Sequence, residues 1–217
     1  MAANRKTDSD HMVVVPHTPR EDAIRRGYKT WLREVDNPIF NRMPGVVRYA
    51  NWRVCAPNPA VPFTNIDFLR LVGEQEAAEL ATNPELAEHA ASWTKLWGRY
   101  PDASDDDAHL NGHLYLCQRL AGRQSTTRFL SLQTALERPT DESGDAEIWE
   151  VTMPVVGDAR FKYLRLVPLT DPSQFAATEE ALPQECLGAA LAELIAAPDL
   201  AHETSSPASI GVKETVL

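Results

Sequence analysis

The sequence predicts an α+β fold in which strands and helices follow the order βαββαβ, with further strands and a helix after it. Three observations predict this order. A β-branched run at residues 12–15 is followed by a helix with a single apolar stripe. Two strand patterns, at residues 46–54 and 65–72, flank a proline-rich loop. A second helical pattern begins after Asn83, and strand-like segments follow it.

The first helix is predicted to begin at Thr18 and to end near Asp36. Thr18 can cap the helix, Pro19 suits its first position, and Glu21 completes a capping box. Pro38 cannot continue the backbone hydrogen bonds of a helix, so the helix is expected to end or kink just before it. The apolar stripe recurs at helical spacing through Ile24, Tyr28, Trp31, Leu32, Val35 and Ile39.

The second and third strands are predicted to form a wide hairpin. A Met-Pro-Gly turn at residues 43–45 leads into residues 46–54, which are rich in β-branched and aromatic side chains. Three prolines in residues 56–62 indicate a loop, and residues 65–72 form the next strand. Because side chains alternate between the faces of a strand, one face carries Tyr49, Asn51 and Arg53.

The strand that completes the βαββαβ order is expected at residues 113–120, with residues 128–136 as the alternative. Two more strands, 148–156 and 161–167, are joined at a Gly-Asp turn. The leucine spacing in residues 183–197 predicts a final helix.

These patterns divide the chain into four parts. Residues 1–11 are expected to be a flexible tail, and residues 12–136 the α+β domain. Residues 137–197 are expected to be an extension that packs on the same domain, and residues 198–217, rich in Ser, Thr and Pro, a second flexible tail.

Composition excludes several classes of protein. The formal net charge of −10 argues against a nucleic-acid partner, because such proteins displace counterions with a basic surface. The sequence has no apolar run of about 18 residues that would span a membrane. The three cysteines are far apart and form no CxxC motif, so reduced thiols in the cytoplasm are expected.

Residues 28–49, YKTWLREVDNPIFNRMPGVVRY, resemble the dimeric α+β barrel superfamily, and within it the EthD-like and REDY-like proteins. The shared pattern is a long first helix, an anion or histidine followed by x-Pro, and a Pro-Gly turn into the second strand. The resemblance extends over residues 12–120. Many relatives have histidine where this chain has Asp36, so a proton-transfer role there passes to the carboxylate or is lost.

The resemblance implies a ferredoxin-like unit, a homodimer made by packing two sheets face to face, and a mostly apolar ligand cavity. It also implies a small hydrophobic or aromatic metabolite as ligand. Members of the superfamily include cofactor-independent monooxygenases, isomerases, lyases and accessory proteins, and the fold alone does not select among these activities.

Three side chains are candidates for catalysis. His17 follows the first strand and titrates near neutral pH, so it can act as a general base. Asp36 lies at the end of a helix, where its charge opposes the helix dipole, which is typical of a functional residue or of a solvated carboxylate. Arg53 can stabilise an oxyanion.

A pocket with an aromatic wall and a few polar groups is expected around these candidates. Its predicted substrate-binding residues are Tyr28, Trp31, Arg48, Tyr49, Asn51, His113 and Tyr115. Core packing is the alternative role for Trp31. His109 and His113 have helical spacing for a metal site, but Asn111-Gly112 between them indicates a turn and no third ligand is evident, so no metal is predicted.

The sequence favours two functions, and a metal-dependent lyase using His109 and His113 is a third possibility. The first is a small cofactor-independent enzyme, of lyase, isomerase or monooxygenase type, that moves a proton on a hydrophobic aromatic metabolite. The second is a non-catalytic dimer that binds such a compound or assists a neighbouring enzyme. Convergence of His17, Asp36 and an arginine in one closed pocket would favour the enzyme.

Overall fold

Eight antiparallel strands form a closed barrel in the computed structural model, which describes residues 9–141 and 144–200. The order around the barrel is β1-β3-β2-β8-β5-β7-β6-β4. The strands are β1 His11–His17, β2 Val46–Val54, β3 Asn65–Leu71, β4 Leu114–Ala121, β5 Phe129–Ala135, β6 Glu147–Val156, β7 Tyr163–Leu169 and β8 Cys186–Ala196.

Helices lie mainly in the first half of the chain. They are α1 Tyr28–Trp31, a π-helical turn Leu32–Asp36, α2 Asn37–Asn41, α3 Glu74–Ala81, α4 Pro84–Trp97 and α5 Phe175–Glu180, with 3₁₀ turns at Asp105–Leu110 and Pro172–Gln174. No helix among the described residues is both long and apolar enough to cross a membrane.

The predicted ferredoxin-like βαββαβ fold is wrong. The first four strands do lie side by side in the order β4-β1-β3-β2, but this sheet has no free edge. The outer edge of β4 pairs with β6, and the outer edge of β2 pairs with β8. The second four strands repeat the same order, as β8-β5-β7-β6, so two like halves of one chain close the barrel.

The predicted final helix over residues 183–197 is also wrong, because this segment forms β8. Its alternate side chains Ala190, Ala192 and Leu194 are buried in the barrel core. The Ala-, Leu- and Glu-rich sequence favours a helix locally, but β2 and β5 each present an edge that β8 pairs with. Tertiary pairing outweighs a helix propensity that amounts to only about a few tenths of a kcal/mol per residue.

The first helix begins ten residues later than Thr18 and does not end at Asp36. Residues 21–27 form turns, and α1 begins at Tyr28 after Gly27, whose φ is +94°. The chain stays helical past Pro38, through the π-helical turn and into α2. Proline lacks an amide hydrogen, and a wider turn directly before it is one way for a helix to continue through that position.

Other elements match their predictions. The strands at residues 46–54, 65–72, 113–120 and 148–156 are present within a residue or two of the predicted ends. Asn83 caps α4 by accepting a hydrogen bond from the Glu85 backbone amide at 2.9 Å. Of the predicted tails, 1–11 and 198–217, residues 1–8 and 201–217 lie outside the described residues, and His11 belongs to β1.

Alternation along the strands creates two apolar layers. The barrel interior is filled by one cluster that includes Trp52, Phe68, Tyr115, Leu132, Trp149 and Leu166. Outside the barrel, α1 and α4 pack on the end of β8 through Tyr28, Leu32, Trp97 and Ile195. A second outer cluster joins β1, β2 and β3 to α3. The outer face of β1, β3 and β2 is therefore covered by helices. A single chain closes this barrel. Association of two such chains into a homodimer stays a prediction.

Gly122, which follows β4, supports a test of the barrel's packing. Its φ is +81°, and a Cβ there would lie 2.1 Å from the carbonyl oxygen of Ala146. We expect Gly122→Ala to lower the free energy of unfolding by about 3 kcal/mol or more, because backbone strain and a backbone clash combine. Urea unfolding would measure it.

Gly144→Ala is the matched control, because Gly144 has φ +71° and nothing within 4 Å of the added Cβ. It should cost about 1 kcal/mol, from the positive φ alone. Equal costs for the two variants would contradict the close approach at Gly122.

Candidate functional site

Two features carry polar chemistry, and His17 belongs to both. The first is a buried network of polar side chains between the helices and the outer face of β1, β2 and β3. The second is a cleft at the end of the barrel where β1 and β6 end and where β3 and β4 begin.

Asp36 lies at the centre of the network, although only 3% of its surface is exposed. The π-helical turn places it over the barrel, where the hydroxyl of Tyr49 and the amide nitrogen of Asn51 lie 2.9 and 3.2 Å from its Oδ2. Its Oδ1 is 2.7 Å from Nε2 of His89 on α4. The His89 ring stacks on Trp31, with ring centroids 5.4 Å apart.

Tyr49 joins Asp36 to a second buried carboxylate. Its hydroxyl is also 2.9 Å from Oδ2 of Asp67 on β3. Burial raises the pKa of Asp67 to about 6; the imidazole of His17 opposes this rise, and the like charge of Asp36 adds to it. Burial and the two carboxylates raise the pKa of Tyr49 well above its ordinary value, so its hydroxyl keeps its proton.

His17 is held in one orientation at the end of β1. Its Nδ1 lies 3.0 Å from the carbonyl oxygen of Val15, and its Nε2 lies 3.0 Å from the Tyr28 hydroxyl. A carbonyl only accepts hydrogen bonds, so Nδ1 carries a hydrogen and donates it to Val15, while Nε2 is paired with the Tyr28 hydroxyl. Tyr28 in turn accepts a hydrogen bond from the indole nitrogen of Trp93 at 3.1 Å. Both ring nitrogens of His17 are therefore occupied.

The cleft has a volume of about 280 Å³ and combines aromatic walls with cationic groups. Its aromatic lining comes from Phe63, Tyr100, Tyr115 and Phe161, and its cationic and imidazole groups from Arg99, Arg160, His109 and His113. This set is cationic in a protein whose formal net charge is −10. Such a lining suits a small aromatic molecule that carries a negative charge.

His113 is a partly buried imidazole in the cleft wall. Its ring stacks on Tyr115, with centroids 5.9 Å apart. Burial lowers the pKa of His113, and the charges of Arg160 and His109 lower it further, so the ring is neutral near pH 7. Gly157 packs against its Nδ1 edge, where a Cβ would approach to 2.1 Å. The backbone amide of His113 donates a hydrogen bond to the carbonyl oxygen of Pro16 at 2.9 Å.

The opposite wall is positioned by Asn111, which is 5% exposed. Its side chain donates to the carbonyl oxygen of Tyr100 at 3.0 Å and accepts from the amide of Tyr100 at 2.8 Å. This pair of bonds fixes the backbone of the segment that carries Arg99 and Tyr100. The segment directly follows α4, so the helix that holds His89 also leads into the cleft.

The structure places the predicted site residues in three separate groups. His17, Asp36, Tyr28, Trp31, Tyr49 and Asn51 lie in or against the buried network. His113 and Tyr115 line the cleft. Arg53 lies on the exterior and pairs with Glu193 at 2.8 Å, while Arg48 pairs with Asp199 at 2.8 Å. Neither arginine joins His17 and Asp36, so the expected convergence of the three does not occur.

Several important residues were not predicted as site residues. Asp67 could have been suspected, since it is a carboxylate inside an otherwise apolar strand pattern, and such a local conflict often marks a special position. His89, Trp93 and Arg160 offered no comparable signal, because their surroundings depend on elements distant in sequence. Among residues 9–141 and 144–200, no group of three or more His, Cys, Asp or Glu side chains is arranged to hold a metal ion.

Comparison with known proteins identifies a related fold. No protein-family model matches the chain, and no curated protein matches its sequence. A solved structure described as an anthrone oxidase-like protein is similar with a TM-score of 0.57 at 6% identity, over 88% of this chain and 94% of that one. A structure described as a candidate chlorite dismutase is similar with a TM-score of 0.46 at 11% identity, over 85% and 94% of the two chains.

The first of these likenesses shows a shared fold. At 6% identity it concerns the fold alone. The resemblance to the dimeric α+β barrel superfamily, and to the EthD-like or REDY-like proteins within it, stays a prediction.

The raised pKa of Asp67 predicts how stability depends on pH. A carboxyl group whose pKa is higher in the folded state contributes stability at low pH, and this contribution is lost as pH rises through about 6. Asn resembles the protonated carboxyl and does not titrate. Relative to Asp67→Asn, the wild type should therefore lose about 2 kcal/mol of unfolding free energy between pH 4 and pH 8.

Urea unfolding at a series of pH values would measure this difference. Asp102→Asn, at an exposed position, is the control and should follow the wild type. A constant difference between wild type and Asp67→Asn across the series would show that Asp67 does not titrate in this range.

Proposed function

We propose that the protein is a cofactor-independent enzyme that transfers a proton on a small aromatic acid bound in the cleft. The observation that supports this proposal is the lining of the cleft, where a neutral imidazole, a guanidinium and aromatic rings face one space. A proton-transfer enzyme needs a base that is unprotonated at working pH and a cation to stabilise the anion formed.

His113 is the proposed base. Its Nδ1 edge is packed against Gly157, which leaves Nε2 as the nitrogen for substrate. In the proposed step, the C–H bond adjacent to a substrate carbonyl breaks, the proton moves to His113, and the electron pair forms an enolate. Returning the proton to another carbon completes an isomerisation, and loss of a leaving group instead completes an elimination.

Arg160 is the proposed anion partner. Its guanidinium forms no ion pair with a carboxylate among the described residues, whereas Arg99 lies 3.8 Å from the exposed Glu21. An unpaired guanidinium beside aromatic rings suits a carboxylate or a phenolate. The name of the anthrone oxidase-like protein includes an aromatic compound, but at 6% identity the likeness concerns the fold. The substrate class is proposed from this chain's own residues.

A non-catalytic binding protein is the second candidate. It is favoured by His17, whose two nitrogens are both occupied by the fold. If the cleft binds an aromatic acid without exchanging its protons, the binding role is the correct one.

Calorimetric titration with an aromatic carboxylate and with its neutral amide tests the binding part. The carboxylate should bind more tightly, and Arg160→Met should weaken it about tenfold or more, since a charge-assisted bond contributes at least about 1.4 kcal/mol. The amide should be affected little. Arg123→Met, which removes an exposed arginine outside the cleft, is the matched control. Equal affinity of acid and amide would contradict the anion site.

Proton exchange tests the catalytic part. Aryl-substituted keto acids with an acidic C–H should exchange it with deuterium faster in the presence of the protein, as followed by NMR. His113→Gln should remove about a hundredfold of the rate and leave affinity nearly unchanged. The pKa of His113 is lowered from its ordinary value of 6.5. The exchange rate should therefore fall only at a pH below 6.5, where the ring begins to be protonated. Exchange that persists in His113→Gln would exclude His113 as the base.

A further inference from the structure

We infer that Asp36, Tyr49 and Asp67 form a buried proton-binding site, in which two carboxylates share one proton through the tyrosine hydroxyl. This proton is additional to the hydroxyl's own hydrogen. The site links the helical layer, through Asp36, to the barrel, through Tyr49 and Asp67. It is separate from the cleft and does not depend on the proposed reaction.

A chain of three asparagines fixes the direction of the hydrogen bonds around Tyr49. The backbone amide of Tyr49 can only donate, and it donates to Oδ1 of Asn41 at 2.8 Å. Nδ2 of Asn41 therefore faces Oδ1 of Asn37 at 2.8 Å, and Nδ2 of Asn37 faces Oδ1 of Asn51 at 3.0 Å. It follows that Asn51 turns its Nδ2 towards the Tyr49 hydroxyl, at 2.9 Å, and donates to it.

The hydroxyl of Tyr49 then has one hydrogen for two acceptors. Oδ2 of Asp36 and Oδ2 of Asp67 each lie 2.9 Å from it. Only one of these contacts can use the hydroxyl hydrogen. Two oxygen atoms at hydrogen-bond distance with no hydrogen between them repel, so the other carboxyl group must itself be protonated and donate to the hydroxyl oxygen.

The surroundings place the shared proton on Asp67. Both oxygens of Asp36 have nitrogen neighbours, from Asn51 and His89, and these stabilise an ionised carboxylate. Oδ1 of Asp67 has no hydrogen-bond partner in the part of the chain described, and Nδ1 of His17 is 3.9 Å from its Oδ2, too far for a hydrogen bond. Tyr49 thus donates to Asp36 and accepts from Asp67.

The charge balance supports the same assignment. The titratable groups that face the two carboxylates are His17 on β1, Tyr28 on α1, Tyr49 on β2 and His89 on α4. Among the described residues, no lysine or arginine forms an ion pair with either carboxylate. Two ionised carboxylates would need both His17 and His89 as cations, and of these only His89 lies at hydrogen-bond distance from a carboxylate, that of Asp36.

NMR titration of the protein with ¹³C-labelled aspartate carboxyls tests this inference. In the wild type, the signals of Asp36 and Asp67 should shift together as one proton leaves in the range of mildly acidic to neutral pH. The two signals would be assigned by their loss in Asp36→Asn and Asp67→Asn. If both carboxyls are ionised throughout this range, no proton is shared.

Asp36→Asn separates sharing from simple burial. It removes the neighbouring charge, so Asp67 should lose its proton about one pH unit lower, a tenfold change in proton affinity. An unchanged titration of Asp67 would show that burial alone holds the proton and would overturn the shared site. Circular dichroism establishes that each variant is folded.

Tyr49→Phe tests the bridge itself. Without the hydroxyl, the two carboxyl signals should no longer shift together. Tyr163→Phe is the matched control, since Tyr163 is also buried and its hydroxyl contacts Glu150 at 3.3 Å, outside the proton site. Linked titration that survives in Tyr49→Phe would contradict the role of the hydroxyl.

Discussion

A closed ladder of backbone hydrogen bonds holds the barrel together, and the helices, the cleft and the buried network are arranged around it. A sheet edge exposes amide and carbonyl groups that need partners. A barrel has no such edge, because the two outermost strands of the sheet pair with each other. Here β8 fits between β2 and β5, and β4 pairs with β6, so both halves of the chain are needed. Once the barrel is closed, strand alternation decides which side chains fill its interior and which meet the helices.

This closure also decides where chemistry can occur. The interior of the barrel is packed with large side chains such as Trp52, Leu132 and Trp149, so open space is found at the barrel's end. The outward-facing residues of β1, β2 and β3 are covered by helices, and polar side chains on that face must satisfy one another. The cleft and the buried network are thus two consequences of one architecture, and His17 lies where they meet.

The buried network joins the helices to the outer face of the barrel. Burying a carboxylate is costly unless it finds donors. Asp36 finds them in His89 of α4 and Asn51 of β2, whereas Asp67 contacts the Tyr49 hydroxyl. The π-helical turn that ends at Asp36 has a structural role here, because it brings this carboxylate over Tyr49 while the chain continues through Pro38. A helix that ended just before Pro38 would not need the π-helical turn.

Short-range patterns are sufficient to predict most local elements and several residues of the buried network. The alternation in residues 46–54, the cap at Asn83 and the choice of His17, Asp36, Tyr49 and Asn51 as special residues follow from short-range patterns, which depend only on neighbouring residues. The other features depend on contacts between residues that are distant in sequence. A helix-favouring segment forms β8 because the edges of β2 and β5 both need a partner strand. Arg53 lies on the exterior of the barrel, where it pairs with Glu193. His89 and Arg160 acquired their surroundings from residues far away in the chain, and such long-range pairing leaves no local signal.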